Sequence, residues 1–367
     1  MNTIFKYKDH FVIIFVLLLF TATARPQSAA PKVDWIRPAN EKSPPVWGIH
    51  NGIVVGLWPA SIEQAGQNAE GGPRGLLRIG YEYKGTVYLV NFIAVEPVVD
   101  GDMEFSEISP SRVDDKLGKQ FWAAPSVDTG SFSPYASTRG VISHPDKLHP
   151  ETEELSLYVF TEKFLDGAQP YFKLSIRSDK PGELGIQVFN REKSAVMERC
   201  AFTATMGNYS RLRLLYLKDT VVDARKLFAG YNDIEFDEKE PYSNERMLKN
   251  TKGDLMVVAE SNETFDQLAS WPQEPRYLSG WHWRYRPFYK LTQYWRVDSG
   301  AYDKSLKVRV NGRAKYWSGG SDDKGKYMDI PGGPAFENFE LREIYQPGEK
   351  FYFGLSLKSA KALIAGF

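Results

Sequence analysis

The chain has 367 residues, with 46 basic and 46 acidic side chains, 42% hydrophobic and 14% aromatic residues, and one cysteine. A nucleic-acid partner would call for a basic domain, which this balance does not supply. The lone Cys200 excludes an internal disulfide framework, so a large apolar core has to hold the fold.

The first thirty residues read as a leader. Lys6 and Lys8 precede an apolar run over residues 11–20, too short to cross a bilayer comfortably. Ala22-Thr23-Ala24 and Ser28-Ala29-Ala30 follow as small-residue cleavage sites. The expectation is a signal peptide over residues 1–30 and a secreted or periplasmic product, with an uncleaved anchor as the alternative. No Cys follows the run, so the product is not expected to be a lipoprotein. No later segment is apolar enough to be a transmembrane helix. Without residues 1–30 the chain keeps 43 basic and 45 acidic residues, a net charge of about −2.

Residues 31–45 form a Pro-rich arm. Residues 46–59 read as two strands around the hairpin signal His50-Asn51-Gly52, and residues 60–75 as a loop. A second hairpin, 76–83 and 86–98, turns at Lys84-Gly85. Its second strand is nearly continuous apolar and should be buried. Residues 103–108 alternate as a strand does. Residues 114–150 are irregular, rich in Gly, Pro, Ser and Asp, and such a stretch is often functional or a domain boundary.

From Glu154 the chain reads strand after strand: 155–164, 171–179, 183–190, 195–206 and 209–219. The spacing suits an antiparallel meander. Residues 222–228 and 262–268 read as short helices, the second capped by Asn262. Strands at 305–310, 337–344 and 350–357 close the fold, the last two joined by Gln346-Pro347-Gly348. So many strands exceed one open sheet. The expected fold is all-β: a large antiparallel two-sheet β-sandwich, jelly-roll or supersandwich-like, with one or two short helices. It is read as a single domain over 31–367, or as two β-domains divided near 145–153.

The chemistry concentrates between Ser279 and Asp298, SGWHWRYRPFYKLTQYWRVD. Seven aromatics fall within the fifteen residues from Trp281 to Trp295, and no acidic residue lies between Pro275 and Val297. In an extended chain Trp281, Trp283 and Tyr285 share one face, and His282, Arg284 and Arg286 the other. After Pro287, Lys290, Thr292, Tyr294 and Arg296 alternate with Tyr289, Leu291, Gln293 and Trp295. Aromatic planes stack on sugar C–H faces, and Arg forks bind carboxylate or sulfate.

The expected partner is therefore a polysaccharide, an acidic one, and the favoured reaction is β-elimination at a uronic acid. His282 and Tyr285 serve as base and acid. Trp281, Trp283, Arg284, Arg286, Tyr289, Tyr294 and Trp295 bind substrate, joined by His50 and Asn51 from the first hairpin. Glycoside hydrolysis by paired carboxylates is the alternative, with Glu96, Glu104 and Glu107 as its acids. Non-catalytic glycan binding, or an envelope sandwich with these rings simply in its core, are the others.

No metal-spaced His pair occurs, and no HExxH, P-loop, GxGxxG or GxSxG. His144 and His149 read as loop residues and Cys200 as a small buried one. No cofactor is expected, with calcium at Asp322, Asp323 and Asp329 as the one alternative; that loop lacks the EF-hand ligand order. Signal peptide, short strands, abundant Tyr and Trp and little Cys resemble the make-up of secreted β-rich carbohydrate-active proteins. That resemblance is one of composition and transfers no residue.

Overall fold

The computed structural model describes residues 33–40, 42–57, 74–128, 138–205, 210–263, 277–278, 283–284, 291–317 and 327–367. Sixteen strands carry the account. They are β1 (Val46–Ile49), β2 (Ile53–Leu57), β3 (Leu76–Tyr83), β4 (Thr86–Val99), β5 (Phe121–Ala124), β6 (Glu154–Thr161), β7 (Pro170–Arg177), β8 (Glu183–Asn190), β9 (Arg199–Ala204), β10 (Leu212–Tyr216), β11 (Leu255–Ser261), β12 (Trp283–Arg284), β13 (Thr292–Val297), β14 (Lys307–Arg313), β15 (Ala335–Arg342) and β16 (Lys350–Ser356). The helices among the described residues are short: α1 (Ala224–Leu227), capped by Asp223, α2 (Ala360–Ala365), capped by Ser359, and one 3-10 turn at Asn244–Arg246. None is long and apolar enough to cross a membrane.

Two large antiparallel sheets face each other, as a β-sandwich requires. The first runs β1-β2-β3-β4-β9-β15-β14, with β12 added in parallel to β4. The second runs β10-β11-β13-β16-β8-β7-β6-β5. Between them lies one apolar cluster drawing on both, including Trp47, Ile93, Phe202 and Phe339 from the first and Phe172, Ile186, Trp295 and Phe353 from the second. Each such side chain withdrawn from water contributes about 1.5–3 kcal/mol.

The β3–β4 hairpin turns on Lys84 and Gly85, both at positive φ (53° and 77°), the conformation that a two-residue turn demands. Strands β6, β7 and β8 form the expected meander. The meander then ends, contrary to expectation. β9 crosses to the first sheet and inserts between β4 and β15, and β10 returns to the second. β15 and β16, joined by the 346–348 turn, likewise divide between the sheets. Two strands lie within the stretch read as irregular, β5 and Val141–Ser143. The helix expected at 262–268 lies mostly outside the described residues.

β4 outruns β3, whose pairing stops at Leu76↔Ala94. A turn occupies the vacated edge. Asp102–Met103 pairs back on Val98–Val99, and the backbone N–H groups of Glu104 and Ser106 donate to the carbonyls of Pro97 and Val95 at 3.1 Å each. Residues 104–108 therefore do not form the strand that their alternation suggests. Ser106 fixes the turn: its Oγ accepts from Val95 N (2.8 Å) and donates to Gly75 O (2.6 Å). Pro97 is tolerated in this central strand because its carbonyl faces the turn, so its missing N–H faces there too and not the β9 ladder. Gly75 is required. It has φ +78°, and a Cβ there would lie 2.1 Å from Ser106 O.

Candidate functional site

The outer face of the first sheet carries a band of charge across four adjacent strands. Ala94 on β4 pairs with Thr203 on β9, Thr203 with Glu340 on β15, and Glu340 with Arg309 on β14. Directly paired residues share a face, as do residues two apart on one strand. Glu96, Asn338, Arg342, Asn311 and Arg313 therefore join them. The alternate residues Val95, Phe202, Phe339, Leu341, Val308 and Val310 point into the core.

Glu337 joins through an irregularity. Asn311 pairs with Asn338 but Gly312 with Phe336, so β15 holds one residue more than β14 at this point. Such a bulge re-aims a side chain. Here it brings the Glu337 carboxyl within 3.9 Å of the Arg313 guanidinium, which in turn stacks 4.3 Å from the exposed ring of Phe236. The turn at the edge of β4 adds Glu107.

The band is buried although it faces outward. Glu96 and Glu340 are each 1% exposed. Arg342 links them, with Nη2 3.6 Å from Glu96 Oε2 and Nε paired to Glu340 Oε1. Thr203 Oγ1 donates to Glu340 Oε2, and Arg309 reaches Glu340 at 3.6 Å while also pairing with the exposed Glu238. Burial, then the charges of Glu340 and Glu107, push the Glu96 carboxyl well up, against the pull of Arg342 and Thr203. Burial pushes Glu107 up to about 7. Burial and Glu107 push Glu337 up to about 7, against Arg313. One carboxyl field thus links four residues drawn from the 96–107 and 337–340 regions. Perturbed carboxyls gathered on one face are what acid–base chemistry needs.

Of the three acids named for hydrolysis, Glu96 and Glu107 meet here and Glu104 does not join them. Glu104 pairs with the buried Lys119 at 2.8 Å and accepts from the N–H groups of Leu165 and Asp166, tasks that brace its turn.

The aromatic and cationic stretch is divided between the sheets. Trp283–Arg284 pairs with Val87–Tyr88 near the start of β4, so nine residues, roughly 30 Å of extended chain, separate it from Glu96. The His50–Asn51 turn falls at that same end. Asn51 N donates to Glu82, His50 lies 3.6 Å from Glu82, and Glu82 pairs with Val87. His50 and Asn51 thus lie at the same end of the first sheet as β12, across β4 from it, and away from the carboxyl band. Trp281, His282, Tyr285, Arg286 and Tyr289 lie outside the described residues, as do the side chains of Trp283 and Arg284.

Tyr294 and Trp295 are corrected. Both sit in β13, in the second sheet, and all six residues of that strand are buried. Trp295 is 0% exposed, donates from Nε1 to Phe339 O at 2.8 Å, and packs edge-on against Phe353. Tyr294 lies over Gly354 and donates to Glu183, in an apolar group that α2 covers with Leu363 and Ile364. Neither ring is open to a sugar. Arg296 is likewise committed, to Glu183 and Asp298.

The second sheet carries a row of its own, Trp122–Phe160–Tyr171–Phe189, with ring centroids 5.2–5.8 Å apart and planes within 22° of parallel. These rings stack on one another along the row. Cys200, on β9, is buried. Among the described residues no group of three or more His, Cys, Asp or Glu could hold a metal ion. Of the calcium loop only Asp329 is described, exposed and 3.5 Å from Lys315.

Compared with protein-family models, with curated proteins and with solved structures, the chain matches none.

Six members of the band escaped sequence reasoning, three on β15 and three on β14. Glu337, Glu340 and Arg342 lie in AFENFELR, where Phe339 and Leu341 alternate with polar residues as in any half-buried strand. The one local signal is the pair Glu337-Asn338, two polar residues in succession, which breaks the period and marks the bulge. Arg309, Asn311 and Arg313 read as an ordinary solvent face until β15 is laid beside them.

Proposed function

We propose that this is an exported protein that acts on a polysaccharide by glycoside hydrolysis at the carboxyl band of the first sheet. One observation carries the reading. A carboxyl raised to about 7, Glu107, and an ion-paired carboxylate, Glu340, both bear on Glu96 from one sheet face. Glycosidases divide their work in this way: one carboxyl protonates the leaving oxygen, and a carboxylate attacks or activates water. Glu107 is the acid, standing half-buried in a turn at the edge of the band. Glu340, gripped by Thr203 and two guanidiniums, is the fixed anion. Glu96 and Glu337, also raised by burial, stand beside them. Export rests on the leader at residues 1–30.

The test is a panel of neutral and acidic polysaccharides scored for new reducing ends. Wild type should release them, and Glu107→Gln should lower kcat by roughly 10²–10⁴-fold with KM little changed. Equal turnover by Glu107→Gln would remove Glu107 from the chemistry.

A second reading, β-elimination at a uronic acid, draws on the position of the His50–Asn51 turn and Trp283–Arg284 at the same end of the first sheet. Its product is an ultraviolet-absorbing unsaturated uronide, which hydrolysis does not make.

A further inference from the structure

The outer face of the second sheet divides in two. Over β10, β11 and β13 it is apolar, and α2 and Phe367 pack on it. Over β5 to β8 and β16 it is aromatic and cationic. The stacked row Trp122–Phe160–Tyr171–Phe189 crosses four of these strands. Beside it runs a second row, Tyr158–Lys173–Gln187–Lys350, each residue paired directly with the next. Their chain neighbours Val159, Phe172, Val188 and Phe351 are core residues, so both rows face outward. Neither row contains an acidic residue. Tyr158, Tyr171, Lys173, Gln187, Phe189 and Lys350 are half-buried, so part of each meets solvent.

Among the described residues, two cations on this face have no ion pair, Lys350 and Arg191. Lys350 Nζ lies 4.9 Å from the ring of Tyr352, which also carries the Arg296 guanidinium at 4.0 Å. Burial holds the Lys350 ammonium below its ordinary pKa, and Lys173 adds to this against the pull of Glu154. The Arg191 guanidinium lies 5.0 Å from the ring of Phe160. The carboxylates at the margin are already taken: Glu154 by Lys173 at 3.3 Å, Glu183 by Arg296 at 2.8 Å, and Asp298 by Arg296 and Tyr352. Lys350 stands on β16 and the Arg191 guanidinium over β6, three strand spacings or roughly 14 Å across the sheet. A single small anion does not span that distance, whereas a polymer with repeated negative charge does.

We propose that this face is a second glycan site and that it holds a uronic-acid polymer. Carboxylates meet Lys350 and Arg191, and sugar C–H groups lie along the aromatic row. The paired cations at its margin, Lys173 and Arg296, already take carboxylate partners, and charge complementarity asks the same of the ligand. The proposal takes the kind of polymer from the polysaccharide reading above and uses no residue of the carboxyl band.

Affinity gels of polygalacturonate, galactan, polymannuronate, mannan and dextran sulfate test it. Wild type should be retained about tenfold more tightly by a polyuronate than by its neutral counterpart, and added salt should erase the difference. In the double variant Lys350→Gln, Arg191→Gln that ratio should fall toward one while the urea midpoint holds. Lys350→Arg, which keeps the charge, should keep the ratio. Equal retention by the paired polymers, a ratio unmoved in the double variant, or retention by dextran sulfate alone overturns the proposal. It fails separately from hydrolysis. Glu107→Gln should lose turnover and keep its polyuronate retention. A polyuronate retained while no polymer is cleaved sinks hydrolysis alone, whereas cleavage without any preference in retention sinks this second site alone.

Discussion

Arg342 on β15 reaches over β9 to Glu96 on β4, with its Nη2 3.6 Å from Glu96 Oε2 while its Nε holds Glu340. A single guanidinium thus compensates two carboxyls that are almost wholly withdrawn from water. Its removal leaves Glu96 without that counter-charge and Glu340 with Arg309 alone, at 3.6 Å. Arg342→Met should destabilise the fold by about 3–5 kcal/mol in urea titrations near neutral pH. The loss should grow toward alkaline pH, because burial holds the Glu96 carboxyl well above the usual carboxylate range and it ionises only as pH rises. A cost independent of pH would mean that packing, not charge, is what Arg342 supplies.

Stability should fall as pH rises. Glu107, Glu337 and Glu343 are raised to about 7 and Glu349 to about 9, from 4.5, with burial the largest cause in each. For raised carboxyls the contribution is fully present below the unfolded value and is lost as pH climbs through the folded one. The urea midpoint should therefore decline from about pH 5 to about pH 9, and Glu349→Gln should flatten the part above about pH 7. A flat profile in wild type would contradict the burial of these groups.

Turnover should share the upper limit. If Glu107 delivers the proton, kcat falls above about 7, where its carboxyl ionises. Glu337→Gln, which removes a carboxyl whose field acts with that of Glu107, should move this limb to lower pH. An unmoved limb would uncouple the two.

Gly75→Ala strikes the same site from behind. The new Cβ has to share space with Ser106 O, 2.1 Å away, at a φ of +78°. We expect a stability loss of about 1–3 kcal/mol. Activity per folded molecule should also fall, because Ser106 positions the turn that bears Glu107. Full activity in the folded fraction would show that the turn tolerates displacement.

Trp295→Ala should cost about 3–5 kcal/mol, as expected for a large ring removed from a core. It should leave glycan affinity unchanged in the protein that remains folded. A selective loss of affinity would return Trp295 to the binding surface.

Local signals made much of the fold legible. Lys84-Gly85 announces its turn because two adjacent residues must adopt positive φ, and residues 86–98 announce a buried strand by their unbroken apolar run. Alternation also placed Tyr294 and Trp295 on opposite faces of one strand. It could not say that both faces are covered, one by the opposite sheet and one by α2. Nor does anything within residues 195–206 tell β9 to leave the meander, since its choice of sheet depends on β4 and β15, each more than a hundred residues away. The carboxyl band was hidden for the same reason. Glu96 and Glu107 were visible as acids, but their partners come from strands whose polar faces look like ordinary surface.

The insertion of β9 between β4 and β15 also dictates when the site can come into being. Its two halves are made far apart during translation, and the acids near residue 100 wait unpaired while more than two hundred further residues emerge. A nascent chain, or one clipped ahead of β15, lacks Glu337, Glu340 and Arg342 and so holds only half of the band. The two halves of the band can meet only after β15 has been made and has paired with β9.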